Sequence, residues 1–293
     1  MEAKRTWQGY TFGGKHLHRW LIALLKRVDI RVVYVIAAVF VVPVCLFLPG
    51  ARHCYRYLRH RLGWGTLRSL WGVYRNHVLF SQVVIDRFAM YAGRHFKVEV
   101  VHYDDFLSLA ALPDSFVMLS SHVGNYEIAG YTLVSTKKPF NALVFGAEKA
   151  TVMTGREHLF GHNHIRMIPI RDDMSHLIAI NNALSNGEIL SMPADRIFGS
   201  PKAITRNFLG APAKFPEGPF RVVTMRQLSV LAVNVMKTHW NTYTAYVHAL
   251  DYDREAPRRQ QMEQLAAAYT KVLESDLQKH PLQWYNYFDF WNQ

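Results

Sequence analysis

From about residue 113 to residue 250, short apolar runs alternate with amphipathic stretches, and no other feature constrains the fold as strongly. FVMLSS, FNALVFG, IRMIPI, EILSMPA, SVLAVNVMK and TAYVHAL read as strands. Between them, MSHLIAINNALSNG reads as a helix that stops at Gly187. Such alternation predicts an α/β fold with a mostly parallel central sheet flanked by helices. In sheets of this kind the chemistry gathers beyond the C-terminal ends of the strands, so residues that directly follow an apolar run are the first candidates. A final helix is expected from about Glu255 to Lys279, ending before Pro281.

The first third of the chain has a different character. Residues 1 to 100 hold 16 Lys/Arg against 4 Asp/Glu, which accounts for the whole net charge of +12. Within this basic stretch, Val32 to Leu48 reads VVYVIAAVFVVPVCLFL, 17 residues without a charge. As one helix it would be roughly 26 Å long, just enough to cross a hydrocarbon core of about 30 Å, with Pro43 placed to kink or end it. It begins too late for a secretory signal peptide, and no small-residue cleavage site follows. A single or re-entrant anchor helix is therefore expected. HRWLIALLKRV upstream is amphipathic and basic, as an interfacial segment would be. Arg52, Arg56, Arg59, Arg61, Arg68 and Arg75 follow with no acid until Asp86. Basic flanks on both sides leave the orientation open. Zinc spacing and RNA-binding signatures are absent, so an anionic membrane surface fits this charge better than nucleic acid. The expected organisation is an anchor segment over 1–52 and a globular part over 53–293, with a helical lead-in at 53–112 and the α/β core at 113–293. Two cysteines, Cys45 and Cys54, form no disulfide framework or metal spacing.

A histidine followed five residues later by an acid occurs twice, at His122/Glu127 and at His248/Asp253, and composition alone predicts about one such match. Context separates them. His248 lies inside a strand-like run, which favours a strand histidine beside a polar turn. His122 follows the run FVMLSS directly, at the mouth of the strand. Gly124 and Asn125 allow a sharp turn there, and Asn125 is placed to cap a following helix. That break lets Glu127 reach back to the imidazole, fix its tautomer and stabilise the imidazolium, leaving the other nitrogen as a base. The alternative is a capped structural turn. Ser120 and Ser121 lack the nucleophile-elbow pattern, so a base acting on an incoming alcohol fits better than a covalent acyl-enzyme. His162 and His164 in GHNHIR have no convincing third ligand and read as a polar loop.

His122-(x4)-Glu127 after an apolar strand resembles the first motif of the glycerolipid and lysophospholipid acyltransferase superfamily. The whole chain resembles the late acyltransferases of bacterial lipid A biosynthesis, the lauroyl/myristoyl type. WQGYTFGGKHLHRWL, the anchor, the basic helical segment, MPADRIFG, NFLGAPAKFPEGPFR and the ending HPLQWYNYFDFW all carry that likeness. FPEGPFR resembles the superfamily's phosphate-binding motif but falls late in the chain. Asp195 and Arg196, directly after EILSMP, better occupy the substrate-proximal place, with an ordinary loop ion pair as the alternative. FPEGPFR then reads as a turn and helix start with Pro219 in the first turn and a Glu217–Arg221 pair at the helix end.

The resemblance implies a glycerolipid acyltransferase-like fold and an O-acyltransferase at the cytoplasmic face of a bacterial inner membrane. His122 and Glu127 would be catalytic; Lys149, Arg156, Asp195 and Arg196 would bind substrate, with Arg156 suited to a phosphate through its fork of donors. The implied donor is an acyl carrier protein thioester or acyl-CoA, and the implied acceptor is a hydroxyl of a phosphorylated lipid A precursor. Other acceptors, such as a lysophospholipid, an aminoacyl lipid or a glycolipid, stay open, as does a non-catalytic membrane-binding scaffold. No metal or redox cofactor is required.

Overall fold

A computed structural model describes residues 15–133, 135, 138–145, 165–171, 173–197 and 202–292. Its centre is a seven-stranded sheet made of β1 (Lys97–Val101), β2 (Phe116–Gly124), β3 (Phe140–Phe145), β4 (Ile165–Ile170), β5 (Ile189–Pro193), β8 (Ser229–His239) and β9 (Thr242–Leu250). The order across the sheet is β1-β9-β8-β2-β5-β3-β4. Only the β8–β9 pair is antiparallel; the other five pairings are parallel. All six apolar runs became strands. β2 lies centrally, between β5 and β8.

Parallel strands need cover on both faces, and the alternation along β2 supplies it. Val117 and Leu119 point to one side, with Leu190 and Met192 of β5, and pack with Tyr269, Leu273 and Leu277 of α10 (Arg258–Lys279). Phe116 and Met118 point to the other, against Phe106 of α6 (Tyr103–Ala111) and Ile128 of α7 (Tyr126–Thr132). Among the described residues the remaining core helices are α8 (Ser175–Ser185) and α9 (Glu217–Met225). Gly187 ends the region after α8 at φ +72°, as the glycine stop requires. FPEGPFR opens α9, with Pro219 in its first turn and Glu217 Oε1 2.9 Å from Arg221 Nη2.

Two features were not anticipated. The segment read as wholly helical contains β1, whose five residues alternate exposed and half-buried beside β9 at the sheet edge. NFLGAPAKFPEG contributes to a hairpin of β6 (Ala203–Phe208) and β7 (Ala211–Pro216), separate from the main sheet.

The apolar run at 32–48 does not form one continuous helix. α1 (Lys15–Leu25) precedes it. α2 (Ile30–Ile36) then passes through a π-helical turn, Ala37–Val41, into the short α3 (Val42–Cys45). Pro43 donates no hydrogen bond and its ring crowds the carbonyl four residues back; the wider turn, closed by Val42 N–H to Ala37 O, relieves both. Pro49 then starts α4 (Pro49–Arg56) at its first helical position and holds Leu48 extended at ψ 152°. The result is a bend of 94° between Ile30–Cys45 and Pro49–Arg61. Among the described residues no single helix is long and apolar enough to cross a membrane, although this bent pair passes by length and composition.

α5 (Thr66–Tyr91) joins this N-terminal part to the sheet. Its Asp86, fully buried, accepts hydrogen bonds from Tyr34 of α2, Lys237 Nζ of β8 and Tyr243 of β9. Burial pushes the Asp86 carboxyl up and the Lys237 ammonium down, while their mutual attraction opposes both changes. Removing either partner would strand the other in a dry interior.

Candidate active site

β2 delivers His122 to the C-terminal edge of the sheet, and the chain turns at once. Gly124 has φ +68°, and a Cβ there would lie 1.9 Å from the carbonyl oxygen of Val235. Only glycine permits that approach, which lets Asn125 N–H donate to the same oxygen at 2.7 Å. Asn125 occupies the N-cap position of α7, but its side chain makes no capping bond; Nδ2 donates to Tyr243 Oη at 3.3 Å instead. Ser121 is buried, its hydroxyl donating to Asn234 Oδ1 at 2.5 Å and accepting from Val123 N–H at 3.1 Å. A hydroxyl so engaged is a structural clamp on the turn rather than a nucleophile.

The acid on the imidazole is Asp195. Ala194 N–H donates to Ser120 O at 3.0 Å and thereby places the next residue opposite His122. The Asp195 carboxylate then accepts from His122 N–H at Oδ2 and from Nδ1–H at Oδ1, both at 2.9 Å. Burial pushes Asp195 up, but the charge of His122, its side-chain bond, nearby Arg196 and the backbone bond overcome this and hold the carboxyl below its ordinary value. The carboxylate side chain is 2% exposed and the imidazole 29%. A buried acid on Nδ1 therefore fixes the tautomer whose lone pair is on Nε2, on a ring that solvent and substrate can reach.

Glu127 was expected to hold one ring nitrogen of His122, but the acid on Nδ1 is Asp195. Glu127 stands in the first turn of α7, its Oε2 3.0 Å from Arg87 Nε on α5. An acid five positions along looked closer than one 73 residues away, yet the two neighbouring parallel strands make Asp195 the spatial neighbour. The signal was present in the sequence: Asp195 directly follows the apolar run of β5, as His122 directly follows that of β2.

Arg196 is drawn inward. Its Nη2 donates to Tyr285 O at 3.0 Å and its guanidinium lies 5.3 Å from the centre of the Phe288 ring. Burial lowers its pKa, with Asp195 and Tyr126 acting in the opposite direction. Tyr126 also meets His122 edge to face, ring centres 5.7 Å apart. The C-terminal segment closes this side, since Trp284 bridges Val123 of β2 and Tyr285 carries Arg196. Lys149, Arg156, His162 and His164 lie outside the described residues. Among the described residues no group of three His, Cys, Asp or Glu could hold a metal ion. His248 is a β9 residue, its Nε2 3.6 Å from Asp276 Oδ1.

Residues 95–291 match the profile of the family described as bacterial lipid A biosynthesis acyltransferase. The chain belongs to that family. The matched region holds every described strand, β1 to β9, and both members of the His122–Asp195 pair. Membership makes the protein an acyltransferase, with an acyl donor and a lipid acceptor in general terms. No curated protein matches the chain significantly. Among solved structures, it is similar to the 1-acyl-sn-glycerophosphate (LPA) acyltransferase PlsC from Thermotoga maritima, at 14% identity and a TM-score of 0.41, over 92% of this chain and 98% of that one.

Proposed function

We propose that the protein transfers a fatty acyl chain from an acyl carrier protein thioester, or from acyl-CoA, to a hydroxyl of a phosphorylated lipid A precursor. The observation that carries this reading is the half-exposed His122 whose Nδ1 is held by the buried carboxylate of Asp195 at the end of a central strand. Nε2 removes the proton of the acceptor hydroxyl as its oxygen attacks the thioester carbonyl carbon. The tetrahedral intermediate collapses, the C–S bond breaks, and the imidazolium returns the proton to the departing thiolate. No acyl-enzyme forms, in keeping with the buried, bonded Ser121. Asp195 stabilises the imidazolium while it lasts, and general-base help of this kind is worth about 10²–10⁴ in rate. Lys149 and Arg156 remain the residues suited to the acceptor's phosphate, and Arg196 adds fixed positive charge next to the acid–base pair.

The reaction is placed at a membrane surface, the cytoplasmic face of a Gram-negative inner membrane. Support comes from apolar side chains turned outward on the N-terminal helices, Phe40, Val44 and Phe47 among them, and from Leu67 and Trp71 on α5. The arginines of α4 and the turn after it lie nearby in sequence and would meet anionic headgroups.

The test is direct. Purified full-length protein in detergent receives acylated carrier protein and a lipid A precursor, and thiol release and acylated product are both measured. Product formation that His122→Ala abolishes supports the proposal. Transfer to a lysophospholipid but not to the precursor would replace the acceptor, and turnover undiminished in His122→Ala would remove the mechanism.

A further inference from the structure

The carboxylate at Nδ1 is Asp195, so Glu127, five residues beyond His122, needs a different physical role. Glu127 is almost wholly buried and its carboxylate meets Arg87 on α5, the helix that links the N-terminal segments to the sheet. The preceding residue, Asp86, accepts from Tyr243 Oη, and Tyr243 in turn accepts from Asn125 Nδ2. Consecutive residues of one helix thus reach both ends of the same short turn, Asn125 through Tyr243 and Glu127 directly. Asp86 also receives Tyr34 of α2, so the path continues into the apolar N-terminal helices. On the opposite side the turn is fixed to β8 by Asn125 N–H and Val235 O.

We propose that Glu127 is a positioning residue: through Arg87 it locks the turn after His122 onto α5, and it is Asp195 that holds the imidazole. The inference deepens the acyl-transfer reading and rests on it for its kinetic consequence, but its structural content does not need a substrate. Either single substitution removes the close attraction between Arg87 and the buried Glu127 carboxylate, the direct link from α5 to this turn, and should loosen the turn. A turn displaced by about 1 Å misdirects Nε2, which is enough to lower turnover about 100-fold.

The experiment uses the full chain in detergent micelles and the variants Asp195→Asn, Glu127→Gln, Arg87→Gln, Arg87→Lys and the Glu127→Gln/Arg87→Gln double. Carbethoxylation by diethylpyrocarbonate, read by mass spectrometry at the His122 peptide across pH, gives the titration midpoint of that imidazole without any turnover. Asp195→Asn lowers the midpoint, because the imidazolium loses its anion; Glu127→Gln and Arg87→Gln move it by less than a third as much. Hydrogen–deuterium exchange increases in peptides covering 121–132 and 80–90 for either single variant, the double is no looser than the worse single, and Arg87→Lys recovers part of the protection. A Glu127→Gln midpoint as low as that of Asp195→Asn, or exchange at 121–132 unchanged by Arg87→Gln, overturns the proposal. Absent acyl transfer in every variant and in the parent would count against the enzyme reading while leaving both of these readouts to decide the role of Glu127.

Discussion

The Asp195 carboxylate grips His122 twice, at its backbone N–H and at Nδ1–H, with both distances 2.9 Å. One bond positions the main chain of the strand end and the other orients the ring, so a single side chain sets both the place and the tautomer of the base. Asp195→Asn keeps the size but removes the charge and presents a side chain that can rotate to donate. The expected result is a fall in kcat on the order of 10²–10⁴ with KM little changed, since the interaction strengthens only as the imidazolium forms. Steady-state thiol release measures it; a loss confined to KM would assign Asp195 to substrate binding instead.

The same acid has a signature in stability. Its carboxyl is held below the ordinary value in the folded chain, so the unfolded chain takes up the proton first as the medium is acidified. The contribution of Asp195 is therefore complete above about pH 4 and disappears as pH falls through the lower, folded value. Denaturant unfolding of the parent and Asp195→Asn should show a gap that is wide at about pH 5 and narrow at about pH 3. A gap that widens on acidification would mean the carboxyl is raised, not lowered, by its surroundings.

Much of this arrangement could be read from the sequence, and the misses share one cause. Strands revealed themselves through apolar runs, and α9 through Pro219 and its Glu217–Arg221 pair, because these are local signals. The place of His122 near the C-terminal end of a strand was legible by the same logic. The partner of His122 was not, because pairing of β2 with β5 is non-local and chain proximity favours the wrong acid. β1 escaped because its alternation, Lys97-Val98-Glu99-Val100, is only four residues long and directly follows a long helical stretch. A kink or stop at Pro43 was legible as a local signal; the size of the 94° bend was not, because it also depends on Pro49 restarting the helix in a new direction.

Two glycines separate backbone strain from steric exclusion. Gly124 and Gly210 both have positive φ, at +68° and +78°, yet a Cβ meets Val235 O at 1.9 Å in the first case and nothing within 4 Å in the second. Gly210→Ala should cost only the left-handed conformation, about 1–2 kcal/mol. Gly124→Ala must also push β8 away and break the Asn125–Val235 bond, so a larger loss, accompanied by loss of transfer activity, is expected. Thermal unfolding of the two variants side by side makes the comparison, and equal shifts would show that the turn yields easily.

Lys237 and Asp86 allow a cleaner test of what the buried pair contributes. Lys237→Met leaves the Asp86 carboxylate with two tyrosine hydroxyls but no counter-charge, and a loss of about 3–5 kcal/mol is expected. Asp86→Leu in the same chain should restore a good part of it, because two apolar groups no longer require solvation. Chemical denaturation of both single variants and the double completes the cycle; additive losses would show that the residues act separately despite their contact.

The N-terminal face makes a prediction about membranes that depends on shape as well as hydrophobicity. Phe47, 90% exposed, sits at the bend, and Phe40 and Val44 precede it on the same apolar segment. Seated as a re-entrant elbow, this segment would bury its apolar side chains in one leaflet while the arginines beyond the bend met the headgroups. Phe40→Ser/Phe47→Ser should therefore weaken sedimentation with vesicles of mixed neutral and anionic lipid, by roughly 1.5–3 kcal/mol for each buried ring removed. Raising salt should weaken the parent's binding as well, through the arginines, and the two effects should add because they act on different groups. Binding that survives both changes would require a deeper or different attachment than this elbow provides.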